Sequence, residues 1–248
     1  MSSKFAAAFA AILLAGCGGS GDGNGQAAAG GAAPAQLTQI KAPNGDWTQV
    51  VTETPQGGML MGNPDAPVKL VEFASMTCSH CADFAETGFA PLTDKYVKSG
   101  QVSLELRNYV RDPIDLAASL LARCNGPSAY FAMTEQMFAE QKSWFDKMNA
   151  LPEADKQRLQ SLPQTAVPAA LAQAIGLDQF VQARGVSPEK ASACLADPAA
   201  VQKLIAITNS GNAEYQIPGT PAFLINNKLV EGAGSWETLE PKINEALR

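Results

Sequence analysis

Cys78-Ser79-His80-Cys81 gathers two thiols and the chain's one histidine into four consecutive residues. Two thiols at this spacing can close a disulfide with each other and pass it to another thiol by exchange. An apolar run, Val68-Lys69-Leu70-Val71-Glu72-Phe73-Ala74, precedes them, and a helix-forming stretch follows. Cys78 is therefore expected at the start of a helix, where the partial positive charge of the first turn favours its thiolate. A protonated His80 beside it favours the same thiolate. Stabilising the thiolate makes Cys78 a good leaving group and the reduced form stable, so the disulfide becomes oxidising. The chemistry offered is redox exchange.

Other chemistries fit less well. Cys78, Cys81, His80 and Met76 are soft ligands suited to Cu(I) or Zn(II), so a copper- or metal-handling protein is the alternative from a different class. A structural zinc site normally needs four ligands, and there is no second histidine to supply one. Haem attachment requires histidine directly after the second cysteine, where Ala82 stands instead. A cysteine or serine hydrolase needs a histidine brought from elsewhere in the fold. The net charge of −6, without Lys/Arg clusters, argues against a nucleic-acid surface.

The N-terminus bears on compartment. Lys4 precedes an apolar run from Phe5 to Ala15, too short to span a bilayer but suited to a signal segment. It ends in Leu14-Ala15-Gly16-Cys17, which resembles the bacterial lipobox. That resemblance implies a signal peptide over 1–16 and a lipid on Cys17. Gly18 after the cysteine implies the outer membrane, facing the periplasm. The alternative is an ordinary secretory signal cut near Ala15 or Gly16. Either way, export implies a compartment that permits disulfides. With Cys17 assigned to the lipid, Cys124 and Cys194 remain beside the active pair, and even arithmetic favours a second disulfide. It would close a loop of about 70 residues and contribute about 4 kcal/mol in the chain-entropy model. Two buried free thiols are the alternative.

Residues 17–45 read as a lipid-anchored flexible linker, rich in Gly and Ala, ahead of a folded domain over 46–248. Trp47–Thr52 reads as a first strand, Met59–Met61 as a second, and Val68–Ala74 as a central strand covered on both faces. A helix is expected from Cys78 towards Ser99, capped by Thr77 and kinked near Gly88 and Pro91. Val102–Val110 reads as an alternating strand. Residues 112–214 read as mostly helical, with Asp112-Pro113, Ser187-Pro188 and Asp197-Pro198 as matching helix starts. Tyr130, Met133, Met137 and Phe138 are expected on one core-facing stripe, and Val201, Leu204, Ile205 and Thr208 on another. Pro221–Ile225 and Lys228–Glu231 read as a hairpin turning at Asn226-Asn227, followed by a last helix that Ser235 caps. The order is βαβ, a helical insertion, then ββα: an α/β thioredoxin-type core, split.

Three local motifs give this chain its resemblance to the DsbA-like branch of the thioredoxin superfamily. They are Glu72-Phe73-Ala74-Ser75-Met76-Thr77-Cys78-Ser79-His80-Cys81, Gly219-Thr220-Pro221, and the Asn226-Asn227 hairpin with Gly232 beyond it. The resemblance implies a thioredoxin-like fold over residues 45–248 and a redox-active disulfide with no further cofactor. It also implies a cis proline at Pro221 against that disulfide, leaving the backbone of Thr220 free to pair with an extended substrate. Glu72 matches the family's buried acid. Burial should raise its pKa and let it take the proton of Cys81; a purely structural glutamate is the alternative. A Cys124–Cys194 bridge resembles one subgroup. Ser79 departs from the proline of the best-known members, so no redox potential carries over.

The implied substrates are reduced exported polypeptides, and the implied reoxidising partner is a quinone-linked membrane protein. Run in reverse, the same residues reduce or isomerise disulfides. The stretch before the domain is too short and Gly/Ala-rich to build the dimerisation domain of periplasmic isomerases, which favours a monomeric oxidase. Thr220 pulls towards isomerase-like relatives.

Overall fold

Burial on both faces makes β3 (Val68–Ala74) the middle of the sheet: only Lys69 is exposed. In the computed structural model, which describes residues 36–248, β3 lies between β4 (Val102–Asn108) and β5 (Ala222–Ile225). Its pairing with β4 is parallel, with Glu72 opposite Leu106, and its pairing with β5 is antiparallel, with Glu72 opposite Phe223. The six described strands run in the order β1-β2-β4-β3-β5-β6, where β1 is Val51–Glu53, β2 Met59–Gly62 and β6 Lys228–Leu229. A parallel neighbour needs a crossover. Here it consists of α1 (Ser79–Thr87), α2 (Phe89–Pro91) and a π-helical turn at Leu92–Val97.

The helical insertion runs from α3 (Pro113–Arg123) through α4 (Pro127–Ala139), α5 (Gln141–Ala150), α6 (Glu153–Gln160), α7 (Val167–Ile175), α8 (Leu177–Gln182) and α9 (Pro188–Ala196) to α10 (Pro198–Tyr215). The Asp112, Ser187 and Asp197 side chains each accept backbone N–H groups, as their Asp/Ser-Pro signatures predict. α4 packs on α1, and α10 on β4 and α3. α10 comes close to β3 because Gly211 lacks a side chain: a Cβ there would stand 2.6 Å from the Phe73 ring. The hairpin turns on Asn226 and Asn227 at φ 49° and 63°, the left-handed pair that a two-residue turn requires. α11 (Trp236–Ala246) closes the fold behind a Ser235–Thr238 capping box.

Several boundaries differ from the sequence reading. Trp47–Gln49 is a 3₁₀ turn rather than strand, because the Asp46 carboxylate accepts the Thr48 N–H. Cys78, not Thr77, is the N-cap of α1; the Thr77 hydroxyl is already committed to Asp112 Oδ2 at 2.6 Å. The expected helix to Ser99 breaks at Gly88, and β4 stops at Asn108. β4 does not alternate. All seven of its residues are buried, and Glu105 is accommodated by Arg107 on the same strand, at 2.8 and 3.1 Å. On α10 the buried face is Leu204, Ile207 and Gly211, while Ile205 is exposed. The i, i+3, i+7 spacing simply centres the stripe one step away.

The linker expected over 17–45 ends earlier than its composition suggests. Gln101 donates to the Thr38 carbonyl, Ile40 N–H donates to the Ser99 carbonyl, and the Trp47 indole donates to the Ile40 carbonyl. Residues 38–42 are thus part of the folded unit. The signal peptide expected over 1–16, the lipid expected on Cys17 and the expected linker to 35 fall outside the described residues. No helix among the described residues is long and apolar enough to cross a membrane.

Candidate active site

Cys78 sits where β3 has ended and α1 begins, in extended conformation at φ −95° and ψ 119°. Its N–H donates to the Ser75 carbonyl, and its own carbonyl accepts the Ala82 N–H. Gln141, at the start of α5, donates to the carbonyls of Met76 and Cys78 at 2.9 and 3.0 Å. The insertion thereby fixes the loop that carries the nucleophile. Cys78 and Cys81 are both free thiols, and both are buried.

Their environments push the two thiols apart. The Cys81 thiol hydrogen-bonds the Cys78 sulfur. With help from the Thr220 side chain, the Cys81 N–H and the charge of Arg111, it overcomes burial and brings the Cys78 thiol down to about 4. Cys81 goes the other way: burial first, then its bond to Cys78 and the charge of Glu72, hold it far above an ordinary thiol. Such a pair has one ready nucleophile and one thiol that ionises only if something takes its proton.

The other end of the site comes from the chain after the insertion. The Thr220–Pro221 bond is cis, and the Cys78 sulfur lies 3.1 Å from the Thr220 carbonyl, to which it donates only when protonated. The Thr220 hydroxyl is buried and has no hydrogen bond beyond its contact with the Cys78 sulfur. His80 is exposed on the rim of an open groove that it shares with Thr220, Pro221, Gly232, Ser235 and Thr238. Arg111 brings positive charge to the Cys78 thiolate.

Glu72 is 3% exposed on the central strand. Burial first, then the charges of Glu135 and Cys78, raise its carboxyl to about 8. Beneath the loop, Asp115 accepts the Ser75 hydroxyl at 2.5 Å and the Met76 and Arg111 N–H groups. Burial raises Asp115 to about 6 against those bonds. Arg111 Nε in turn donates to Ser75 Oγ at 2.8 Å. Far along the chain, Cys124 at the end of α3 is bonded to Cys194 in α9, with Cα atoms 5.8 Å apart. Among the described residues, no cluster of three or more His, Cys, Asp or Glu side chains is placed to hold a metal ion.

The structure therefore brings Cys78, Cys81, Glu72, Thr220 and Pro221 together, with His80 at the rim. Sequence reasoning missed Arg111, Asp115, Gln141 and Glu135. Glu135 left a trace: it interrupts a buried stripe at i+4 from Phe131 and i−3 from Phe138. Arg111 and Asp115 flank the helix start at Asp112-Pro113, and nothing in the local sequence ties either to the cysteines.

A thioredoxin family model matches residues 54–245. The chain belongs to the thioredoxin superfamily. Within it, the chain is a thiol:disulfide oxidoreductase with a DsbA-like fold, the helical insertion lying between the two halves of the core. It is 34% identical to a solved protein-disulfide isomerase from Novosphingobium aromaticivorans, with TM-score 0.72, over 76% of this chain and 96% of that one. A Rickettsia bellii protein, provisionally named a protein-disulfide oxidoreductase, is 28% identical over 86% of this chain and 74% of its own length. Alpha-DsbA1 of Wolbachia pipientis, at 20% identity and TM-score 0.63 over 78% and 92% of the two chains, shares the fold.

Proposed function

We propose that this thiol:disulfide oxidoreductase is an oxidase: it donates the Cys78–Cys81 disulfide to reduced exported proteins. The observation that carries the direction is the contrast between the two thiols. A Cys78 brought to about 4 stabilises the reduced enzyme, and a stable reduced form makes a disulfide a strong oxidant. A substrate thiolate attacks the Cys78 sulfur, and Cys81 leaves, taking a proton. A second substrate thiolate then breaks the mixed disulfide, releasing Cys78 as the thiolate its neighbours already favour.

The export signal and lipobox-like Leu14-Ala15-Gly16-Cys17 support a periplasmic site of action and an anchor at the outer membrane. An oxidase there needs a partner that returns it to the disulfide, and a quinone-linked membrane protein has the required chemistry. Two observations favour isomerisation as the second reading: the name of the Novosphingobium relative and Thr220 ahead of the cis proline.

The test mixes the oxidised chain, without other oxidant, with a reduced unfolded protein, and separately mixes the reduced chain with a scrambled one. An oxidase forms one substrate disulfide per chain in the first and barely accelerates the second. In glutathione buffers its potential would lie near about −120 mV; about −180 mV or below, with active unscrambling, would replace the oxidase by the isomerase.

A further inference from the structure

Cys81 exchanges a proton at every turnover, yet it is fully buried and Glu72 beside it is nearly so. Neither reaches solvent directly. Beside Glu72 lies a small cavity, bounded among others by Phe84, Phe131, Thr134, Glu135 and Phe138. It offers about 10 Å³ to a water's centre, about enough for one molecule. Its wall is apolar except for the two carboxyls and Thr134 Oγ1. The neighbouring Tyr130 hydroxyl donates to Asn108 Oδ1 and lies against the Thr134 side chain, and Thr134 Oγ1 is buried without a well-formed hydrogen bond. A buried hydroxyl with unfilled hydrogen-bonding capacity, two carboxyls and a space of that size together suit one bound water.

Glu135 also lines a second space. An open cleft between α1 and α4, bordered by Ala82, Asp83, Glu86, Gln136 and Ala139, reaches its other side. One carboxyl therefore spans the buried cavity and the solvent.

We propose that Glu135 is the outer carboxyl of a proton path from Cys81 through Glu72 and one water beside Thr134 to the α1–α4 cleft. The proposal rests on the redox reading of Cys78–Cys81 but not on its direction. When Cys81 attacks a mixed disulfide, its sulfur bonds to Cys78 Sγ and the partner sulfur leaves as a thiolate with the electron pair. The Cys81 proton passes to the Glu72 carboxylate, across the water to Glu135, and out. When a substrate opens the Cys78–Cys81 disulfide, the same proton travels inward to the departing Cys81 sulfur.

The groups facing Glu135 all disfavour its ionisation: Glu72 from β3, and Asp83 and Glu86 from α1 across the cleft. Tyr130 and the two active-site thiols face Glu72. No basic side chain lines either space among the described residues. Burial accordingly raises Glu135 to about 8, level with Glu72, and two carboxyls of matched affinity pass a proton with little cost.

The test mixes the reduced full chain with oxidised glutathione, quenches with acid over time, and counts the Cys78–glutathione intermediate by mass between pH 5 and 9. Forming that intermediate needs only the Cys78 thiolate; resolving it needs the Cys81 proton to leave. Glu135→Gln should form it at the wild-type rate and resolve it about tenfold more slowly. The resolution midpoint should move to lower pH, because the neighbour that raises Glu72 is gone, and imidazole buffer should restore speed. Thr134→Val, which keeps the charges but removes the water's anchor, should slow resolution without moving the midpoint. Wild-type resolution rates and midpoints in both variants would overturn the path, while slow resolution in Glu72→Gln would keep the redox reading intact. A wild-type chain that never forms the intermediate would overturn both.

Discussion

Two cysteine pairs in this chain differ in everything but their element. Cys78 and Cys81 are three residues apart at the start of α1, ringed by groups that favour one thiolate and forbid the other. Cys124 and Cys194 are 70 residues apart and tie the end of α3 to α9 as a closed bond. Reactivity follows from what surrounds the sulfur and not from burial alone: Cys78 is 5% exposed and still the nucleophile. The first pair is held half-committed; the second restrains the unfolded chain.

The strongest break of that contrast is Cys78→Ser, which should abolish exchange with glutathione. Removing both Cys124 and Cys194 should leave exchange intact and lower unfolding stability by about 2–5 kcal/mol, read from denaturant melts. If the double variant lost exchange while still folded, the division of labour would be wrong. Next in size is Glu72→Gln, expected to slow resolution of a glutathione mixed disulfide by about a hundredfold in the acid-quench assay. The same variant should gain stability at alkaline pH. The Glu72 carboxyl is raised from its ordinary 4.5 to about 8 in the folded chain. Its penalty is therefore absent below about 4.5 and grows until pH passes 8. Melts of the reduced forms at pH 4 and pH 9 should differ between wild type and variant only at the higher pH.

Most of this contrast was legible from residue types. The spacing of Cys78 and Cys81 after an apolar strand located the site, and the Asp/Ser-Pro pairs located three helix starts that the structure caps as expected. What stayed hidden was long-range. Gln141, Arg111 and Asp115 reach the active-site loop from 63, 36 and 40 residues away, and nothing local to them announces it. His80 was the visible neighbour, and Arg111 brings positive charge to the thiolate. Element edges moved for a related reason: Asp46 and Thr77 had side-chain partners that outweighed propensity.

Smaller effects sharpen the picture. Gln141→Ala leaves the buried Met76 carbonyl without its donor and takes one of two donors from the Cys78 carbonyl; it should cost about 1–3 kcal/mol, with a several-fold loss of exchange rate if the loop loosens. A loss of stability with exchange unchanged would confine Gln141 to a packing role. Arg111→Gln should raise the Cys78 pKa modestly, since Arg111 is the smallest of the groups lowering it, and a titration of the variant would show it.

The central claim is that this fold holds Cys78 as a thiolate while keeping Cys81 neutral. The direct measurement is an ultraviolet titration of the thiolate in the reduced chain, with Cys78→Ser as the blank. One thiolate appearing with a midpoint near pH 4, and no second one through neutral pH, is the predicted result. A midpoint near the ordinary thiol value of 9.0 would contradict it.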